Sequence, residues 1–260
     1  MPATRPSIVV VPGAHHIPEH FHAVTTLLES DGYRVVGITL PSPENSLPPN
    51  YQGDLTTIRE AILGELHRGL DVLLVVHSAS GVTGPAAMQG LAKRPGSSEP
   101  GVVRILGISA ILARPGQIGF AAVADGQCCQ WRIQKDNRYV MYPYDQPGGI
   151  PEGPGAVICS PVHALYNDMT AEQSRWAYDL CVPVYGDMGS VVVDYAGWQD
   201  VPMTYVICEE DKAIFPQVQQ EIIRNAGIKP TVRRLAASHS PFISVSHEVA
   251  ALIEEAAEQA

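Results

Sequence analysis

Residues 71–78 read DVLLVVHS, and the five residues from Val72 to Val76 are all apolar, with no polar residue at alternate positions. A strand with one wet face alternates, because successive side chains point to opposite sides of the sheet. An unbroken apolar run demands cover on both faces, which a parallel sheet with helices above and below supplies. The run passes straight into ASGVTGPAAMQGLAKR, a small-residue stretch of helical character despite its glycines. Strand, tight turn and helix in immediate succession leave few α/β architectures open.

The surrounding sequence repeats that alternation. SIVVVPG and RVVGITLP read as strands, with the helical PEHFHAVTTLLESDGY between them, closed by Gly32. GDLTTIREAILGELHRGL is helical, with Leu55, Ile58, Ile62, Leu63 and Leu66 as its apolar stripe and Asp54 as the expected N-cap. VVRILGISAIL is a further strand. After residue 200, PMTYVIC and TVRRLA read as strands, and PQVQQEIIRNAG and SHEVAALIEEAAEQA as helices. The order is that of a doubly wound, mostly parallel α/β sheet.

Periodicity stops between. From about Ala113 to Gln199 the text is turn-rich, yet it holds all three Trp and seven of the ten Tyr. A disordered linker would be poor in aromatics. The expected organisation is a core in two parts, 1–112 and 200–260, with an inserted cap at 113–199 that is partly helical around TAEQSRWAYDLCVPVY. Aromatic residues such as Trp131, Tyr166 and Trp176 are candidates to line a pocket for a mostly apolar small molecule. The plainer role for any one of these rings is to pack the cap onto the core.

Composition excludes several classes. The formal net charge is -10, from 17 basic and 27 acidic residues without long runs, which argues against nucleic acid or an anionic membrane as partner. No apolar stretch approaches the roughly 20 residues that span a bilayer, and MPATRPSIVVVPGA is too strand-like for a signal peptide. A cytoplasmic location is expected. The five cysteines, Cys128, Cys129, Cys159, Cys181 and Cys208, show no CxxC spacing and imply neither a disulfide framework nor a zinc knuckle. A homodimer is compatible with the sequence, which carries no signal of oligomeric state.

The chemistry gathers at strand ends. A serine where a buried strand meets a helix sits on a strained turn with its hydroxyl held out, and the helix N-terminus behind it stabilises negative charge. The usual GxSxG elbow has small residues two before and two after the nucleophile. Centred on Ser78 the window is Val76, His77, Ser78, Ala79, Ser80, bulky before and small after; centred on Ser80 the fault reverses. Ser78 directly ends the strand and is the favoured nucleophile. A serine needs a histidine to take its proton and a carboxylate to fix that histidine's tautomer. EEDKAIFP, after MTYVIC, offers Glu209, Glu210 and Asp211; ASHSPFIS, after TVRRLA, offers His239. Serine, acid and histidine in that chain order match α/β-hydrolases.

PGAHHIPEHFH (12–22) is open to two readings. His16, Glu19 and His20 spell HxxEH, a zinc-peptidase pattern that needs both imidazoles on one face of a continuous helix. Pro18 starts a helix rather than continuing one, leaving His16 in the preceding loop with no fixed direction relative to His20. No metal is expected. The other reading makes PGAHH an oxyanion loop: Gly13 permits the turn, and the amides of Ala14 and Ala79 converge on a developing oxyanion. His15 and His16 are then candidates to face substrate, and His20 and His22 fall on the helix surface.

At these residues the sequence resembles the small cytosolic α/β-hydrolases related to plant methylesterases and hydroxynitrile lyases, nearly end to end. VVVPGAHHIPEHF, LPSPENS, VVHSASG, YNDMTAEQS, VPMTYVICEEDKAIFPQVQ and ASHSPFIS look like that family's successive signature blocks. The resemblance implies an α/β-hydrolase fold, no cofactor, Ser78 as nucleophile, Asp211 as the acid, His239 as the base, and a cap containing Tyr166, Asn167 and Asp168. The departure is HSASG, where such proteins commonly carry HSYGG. The expected activity is serine hydrolysis of an ester, lactone or thioester. Its rivals are non-hydrolytic chemistry on the same fold in natural-product biosynthesis, and a slowly turning ligand receptor.

Overall fold

The structure, a computed structural model, describes residues 5–41, 50–120, 129–130, 132–135, 138–141, 144–145, 157–158, 160–185 and 191–260. In chain order come β1 (Ser7–Val11), α1 (His22–Ser30), β2 (Val35–Gly37), α2 (Tyr51–Leu66), β3 (Val72–His77), α3 (Ser80–Ala87) and β4 (Val102–Ile108). An intervening segment carries β5 (Cys129–Gln130), β6 (Arg132–Lys135), β7 (Arg138–Met141), β8 (Val157–Ile158), α4 (Pro161–Leu165), α5 (Ala171–Asp179) and β9 (Val184–Tyr185). The chain closes with β10 (Met203–Cys208), α6 (Pro216–Ala226), β11 (Thr231–Leu235), α7 (Pro241–Ser244) and α8 (Ser246–Glu258).

Six strands form one sheet in the order β11-β10-β4-β3-β1-β2, and every neighbouring pair is parallel. The apolar runs of β1, β3, β4 and β10 serve two cores. Ile8, Val10, Leu73, Val75, Leu106 and Val206 face the side covered by α1 and α8, where Leu28, Val249 and Ile253 are buried. Val9, Val11, Leu74, Val76, Ile105 and Ile207 face the side of α2, α3 and α6. Period-two geometry with apolar residues on both faces is why no alternation shows in the sequence. β11 is an edge strand, half-buried and exposed by turns, and its Arg233 pairs with Glu255 of α8. Charge on an edge strand discourages pairing with another chain.

From β1 the chain winds to β2 at one edge, then returns to β3 on the other side of β1 and continues outward through β4, β10 and β11. The loops after β1 and β3 therefore diverge, opening a crevice at their carboxyl ends. The intervening segment reaches this side of the sheet through α4 and α5: Leu165, Tyr166 and Ala177 pack on Ala213, in the loop after β10.

Two local expectations need correction. Asn50, not Asp54, caps α2, its side-chain oxygen accepting from the Gly53 amide at 2.8 Å. Asp54 lies inside the first turn, buried, and accepts from the Tyr185 hydroxyl at 2.7 Å. His20, expected on the helix surface, is also buried. Pro18–Phe21 forms a 3-10 turn ahead of α1, and the tighter winding rotates His20 inward while His22 stays exposed.

Candidate active site

Four strand ends converge. Ser78 follows β3 with φ 52°, a left-handed conformation that a non-glycine residue holds only when its surroundings enforce it. Three backbone bonds enforce it here. The Ser78 amide donates to Ile108 O at 3.0 Å, and its carbonyl accepts from the amides of Gly81 at 3.1 Å and Ile111 at 2.9 Å. Among the described residues the Ser78 hydroxyl makes no hydrogen bond, although the residue is only 9% exposed. Ser80 differs. Its hydroxyl donates to Val11 O at 2.7 Å and accepts from the His77 amide at 2.9 Å, tying the start of α3 to β1 and β3.

The bulky Val76 has its own accommodation. A side chain on Gly84, one turn along α3, would place its Cβ 2.5 Å from Val76 Cγ1. The space that a glycine two residues before the serine would normally open is supplied from the helix instead. Gly81 lets α3 approach the segment after β4, since a Cβ there would lie 2.5 Å from Ile111 O.

The loop after β1 passes directly over this turn. A Cβ on Gly13 would meet His77 Nδ1 at 2.7 Å and Ser78 Cβ at 2.8 Å, so close approach, rather than the turn itself, demands glycine. The left-handed residue of the loop is His15, with φ 67°. Among the described residues the amides of Ala14 and Ala79 donate to no protein acceptor. Unpaired backbone amides are rare in folded proteins, and these two lie in the loops after β1 and β3, next to Gly13 and Ser78.

After β10 and β11 lie the acid and base candidates. Of Glu209, Glu210 and Asp211, the first two are exposed and Asp211 is buried. His239 Nδ1–H donates to Asp211 Oδ2 at 2.7 Å. Asp211 Oδ1 accepts from the amides of Ala213 and Ile214, both at 2.8 Å, and Gln219 Nε2 donates to Oδ2 at 3.0 Å. Four donors satisfy the buried carboxylate and fix its orientation. Gln219, buried on α6, was not legible as a site residue: a single amide side chain in a helical pattern carries no signal in sequence.

The same loops are clamped from the intervening segment. Asp168 Oδ2 accepts from the Ser238 amide at 2.9 Å and the Ser244 hydroxyl at 2.7 Å, while Asn167 Nδ2 donates to Glu210 O at 3.1 Å. Residues adjacent to His239 and Asp211 are thus held by one short loop after α4.

The histidine-rich stretch is an ordered cluster, and His16, expected to have no fixed direction, is fixed. Its ring lies 4.6 Å from that of His20 and 5.2 Å from that of His77. His16 Nδ1–H donates to Ala14 O at 3.0 Å, and Nε2 accepts from the hydroxyls of Tyr166 and Ser240, each at 3.2 Å. His20 Nδ1 accepts from the Ile17 amide at 3.0 Å and Nε2–H donates to Ala177 O of α5 at 2.9 Å. Burial, with neighbouring imidazoles, pushes His16 and His77 well below the usual histidine range, and burial lowers His20 too. All three are neutral near pH 7. Glu19 points to solvent, and the nitrogens an HxxEH site would offer to zinc are bonded to main chain and hydroxyls. Among the described residues no group of three or more His, Cys, Asp or Glu could hold a metal ion.

A cavity of about 50 Å³ adjoins the loop after β1, lined by Ala14, His15, His16, Leu40, Val184 and Tyr185 among others. Neither Tyr166 nor Trp176 borders it. Tyr166 is buried between His16 and Cys181, where burial raises its phenol well above 10, and Trp176 is 45% exposed on α5 with its ring 6.1 Å from His20. Trp131 lies outside the described residues. Burial likewise pushes the Cys181 thiol up to about 12, so it is no nucleophile at neutral pH.

Comparison with known proteins fits this geometry. The model of the Alpha/beta hydrolase family matches residues 8–252. The chain belongs to that family. It is 29% identical to the Alpha/beta hydrolase nvfD of Aspergillus novofumigatus, over 98% of each chain. Among solved structures it superposes on the methylesterase MES16 of Arabidopsis with TM-score 0.70 at 18% identity, over 98% of this chain and all of the other. A pyrethroid hydrolase of Sphingobium faniae superposes with TM-score 0.69 at 17% identity, over 98% of both. The fold and family expected from the sequence are thus established. Among the described residues no helix is long and apolar enough to cross a membrane.

Proposed function

We propose that the protein is a cofactor-free serine hydrolase that cleaves an ester, lactone or thioester bond in a small, fairly apolar molecule. The observation that carries this reading is the buried His239–Asp211 pair at 2.7 Å, on the strand-end face where Ser78 sits at φ 52°. The ring of His239 lies 4.7 Å from that of His77, the residue before the serine.

In this scheme Ser78 Oγ attacks the substrate carbonyl and His239 Nε2 takes its proton, while Asp211 holds Nδ1–H and stabilises the imidazolium. The carbonyl oxygen becomes an oxyanion held by the amides of Ala14 and Ala79. As the tetrahedral centre collapses, His239 gives its proton to the leaving oxygen or sulfur, and an acyl group remains on Ser78. Water then attacks with His239 as base, and the acid leaves with the serine restored. The cavity beside Ala14, walled by Ile17, Leu40, Pro41 and Val182, supports a small apolar group on one side of the scissile bond. The esterase and hydrolase names of the related proteins agree with this chemistry.

The test is a rapid acid quench with p-nitrophenyl butyrate, followed by intact-protein mass measurement. A butyryl adduct that forms in a burst and decays at the turnover rate is expected; turnover without any adduct would refute the acyl-enzyme.

A further inference from the structure

His77 is the histidine that no step above uses. It is the last residue of β3, directly before the serine, fully buried, with both ring nitrogens bonded to backbone of other loops. The Gly13 amide can only donate, and it meets Nδ1 at 3.2 Å; the His239 carbonyl can only accept, and it meets Nε2 at 3.0 Å. The ring is therefore neutral with its proton on Nε2, a tautomer fixed by its partners. Burial opposes protonation as well. Phe242 lies against it at 4.9 Å between ring centroids, Phe21 at 6.3 Å and His16 at 5.2 Å, so the ring has one orientation.

We propose that His77 is a positioning residue that locks three loops of the active site into register: the loop after β1 through Gly13, the base loop through the carbonyl of His239, and the serine through the chain itself. The proposal rests on the hydrolase reading for its kinetic consequence and on geometry alone for its structural one. Gly13 precedes Ala14, whose amide is one of the two unpaired donors, and the His77 ring sets how far that amide stands from Ala79. The same ring fixes the main chain at His239, and with it the height of Nε2 above Ser78. A neutral imidazole suits this task because it is at once a donor and an acceptor, with a rigid span between them. Once protonated it has no acceptor for Gly13, and a hydrocarbon ring has neither group.

The experiment compares the parent with His77→Phe, which keeps the ring and loses both bonds, and His77→Gln, which keeps one acceptor and one donor. Second-order labelling by a fluorophosphonate is measured, with kcat and KM on p-nitrophenyl butyrate. Loss of one oxyanion donor lowers rates by about 10²–10³. His77→Phe is therefore expected to label at least about 100-fold more slowly, through kcat with KM nearly unchanged, and His77→Gln to recover to within about tenfold of the parent. A mere packing role predicts the opposite order, with Phe tolerated and Gln damaging, and that result would overturn the proposal. In parallel, imidazole ¹⁵N spectra of the parent give the tautomer without any variant. Nε2-protonated and Nδ1-bare is expected, with a slowly exchanging Gly13 amide; the other tautomer or a freely exchanging Gly13 amide sinks the idea even if His77→Phe does not fold. A parent that takes no fluorophosphonate would refute the hydrolase reading, while the spectra and the exchange rate still decide the lock.

Discussion

The strand ends of β10–β11 and of β1–β3 each present buried imidazole, but they bond it in opposite ways. His239, after β11, is held at Nδ1 by a carboxylate, and among the described residues its Nε2 makes no hydrogen bond. His77, His16 and His20, around β1 and β3, are bonded at both nitrogens, mostly to main chain. A carboxylate partner stabilises the cation and so allows an imidazole to accept a proton. Backbone partners on both sides fix one neutral tautomer and resist that proton. Identical side chains a few ångströms apart thus differ in their partners: one is bonded to a carboxylate, and three are bonded at both nitrogens to main chain and hydroxyls.

The sharpest way to break this contrast is to remove the carboxylate from His239. Asp211→Asn leaves the shape intact but lets Nδ1 meet an amide, and by the behaviour of such triads kcat for ester hydrolysis should fall about 10⁴-fold. A fall below tenfold would mean that the pair is structural.

The three doubly bonded histidines make the opposite prediction, in stability. Their folded pKa values lie below the unfolded value near 6.5, so the unfolded chain binds protons first as pH falls. Their contribution is complete above about pH 6.5 and is lost on acidification, at up to about 1.4 kcal/mol per pH unit for each histidine. Urea midpoints should drop steeply between about pH 6.5 and 5, and His20→Gln should reduce that slope. A flat profile would show these rings exposed or already charged.

Gly13→Ala tests the close approach between the two regions. Its new Cβ would lie 2.7–2.9 Å from His77 and Ser78 atoms, so the loop must lift. Labelling should slow about 10²-fold, with about 1–3 kcal/mol lost in stability. Ser80→Ala, the mildest change, should cost about 1–3 kcal/mol by stranding the His77 amide, yet leave labelling within a few-fold. Strong loss of labelling in Ser80→Ala would move the chemistry away from Ser78.

Much of the fold was legible because β1, β3 and β10 are largely apolar runs and several helices carry end signals, such as Pro216 opening α6 and Gly227 closing it, that act over a few residues. The candidate residues were legible because they fall just past strand ends: Ser78 directly after β3, Asp211 third after β10 and His239 fourth after β11, the last two joined by one hydrogen bond. What sequence could not give was direction. His20 reads as a surface residue until a 3-10 turn rotates it inward, and the placing of Asp54 depends on Asn50 capping α2 four residues earlier. Gln219 and Gly84 act on residues eight positions back and Asp168 on one seventy positions on, each in another element, so no local pattern announces them. The aromatic reading of the segment after β4 is the least local: Tyr166 faces a histidine and a thiol, and Trp176 faces largely solvent.

The measurement that bears most directly on the account is intact-protein mass spectrometry after exposure to a fluorophosphonate, with Ser78→Ala and Ser80→Ala beside the parent. One adduct on the parent and on Ser80→Ala, and none on Ser78→Ala, is the predicted result. A folded parent that takes no adduct, or a Ser78→Ala protein that still takes one, would contradict it.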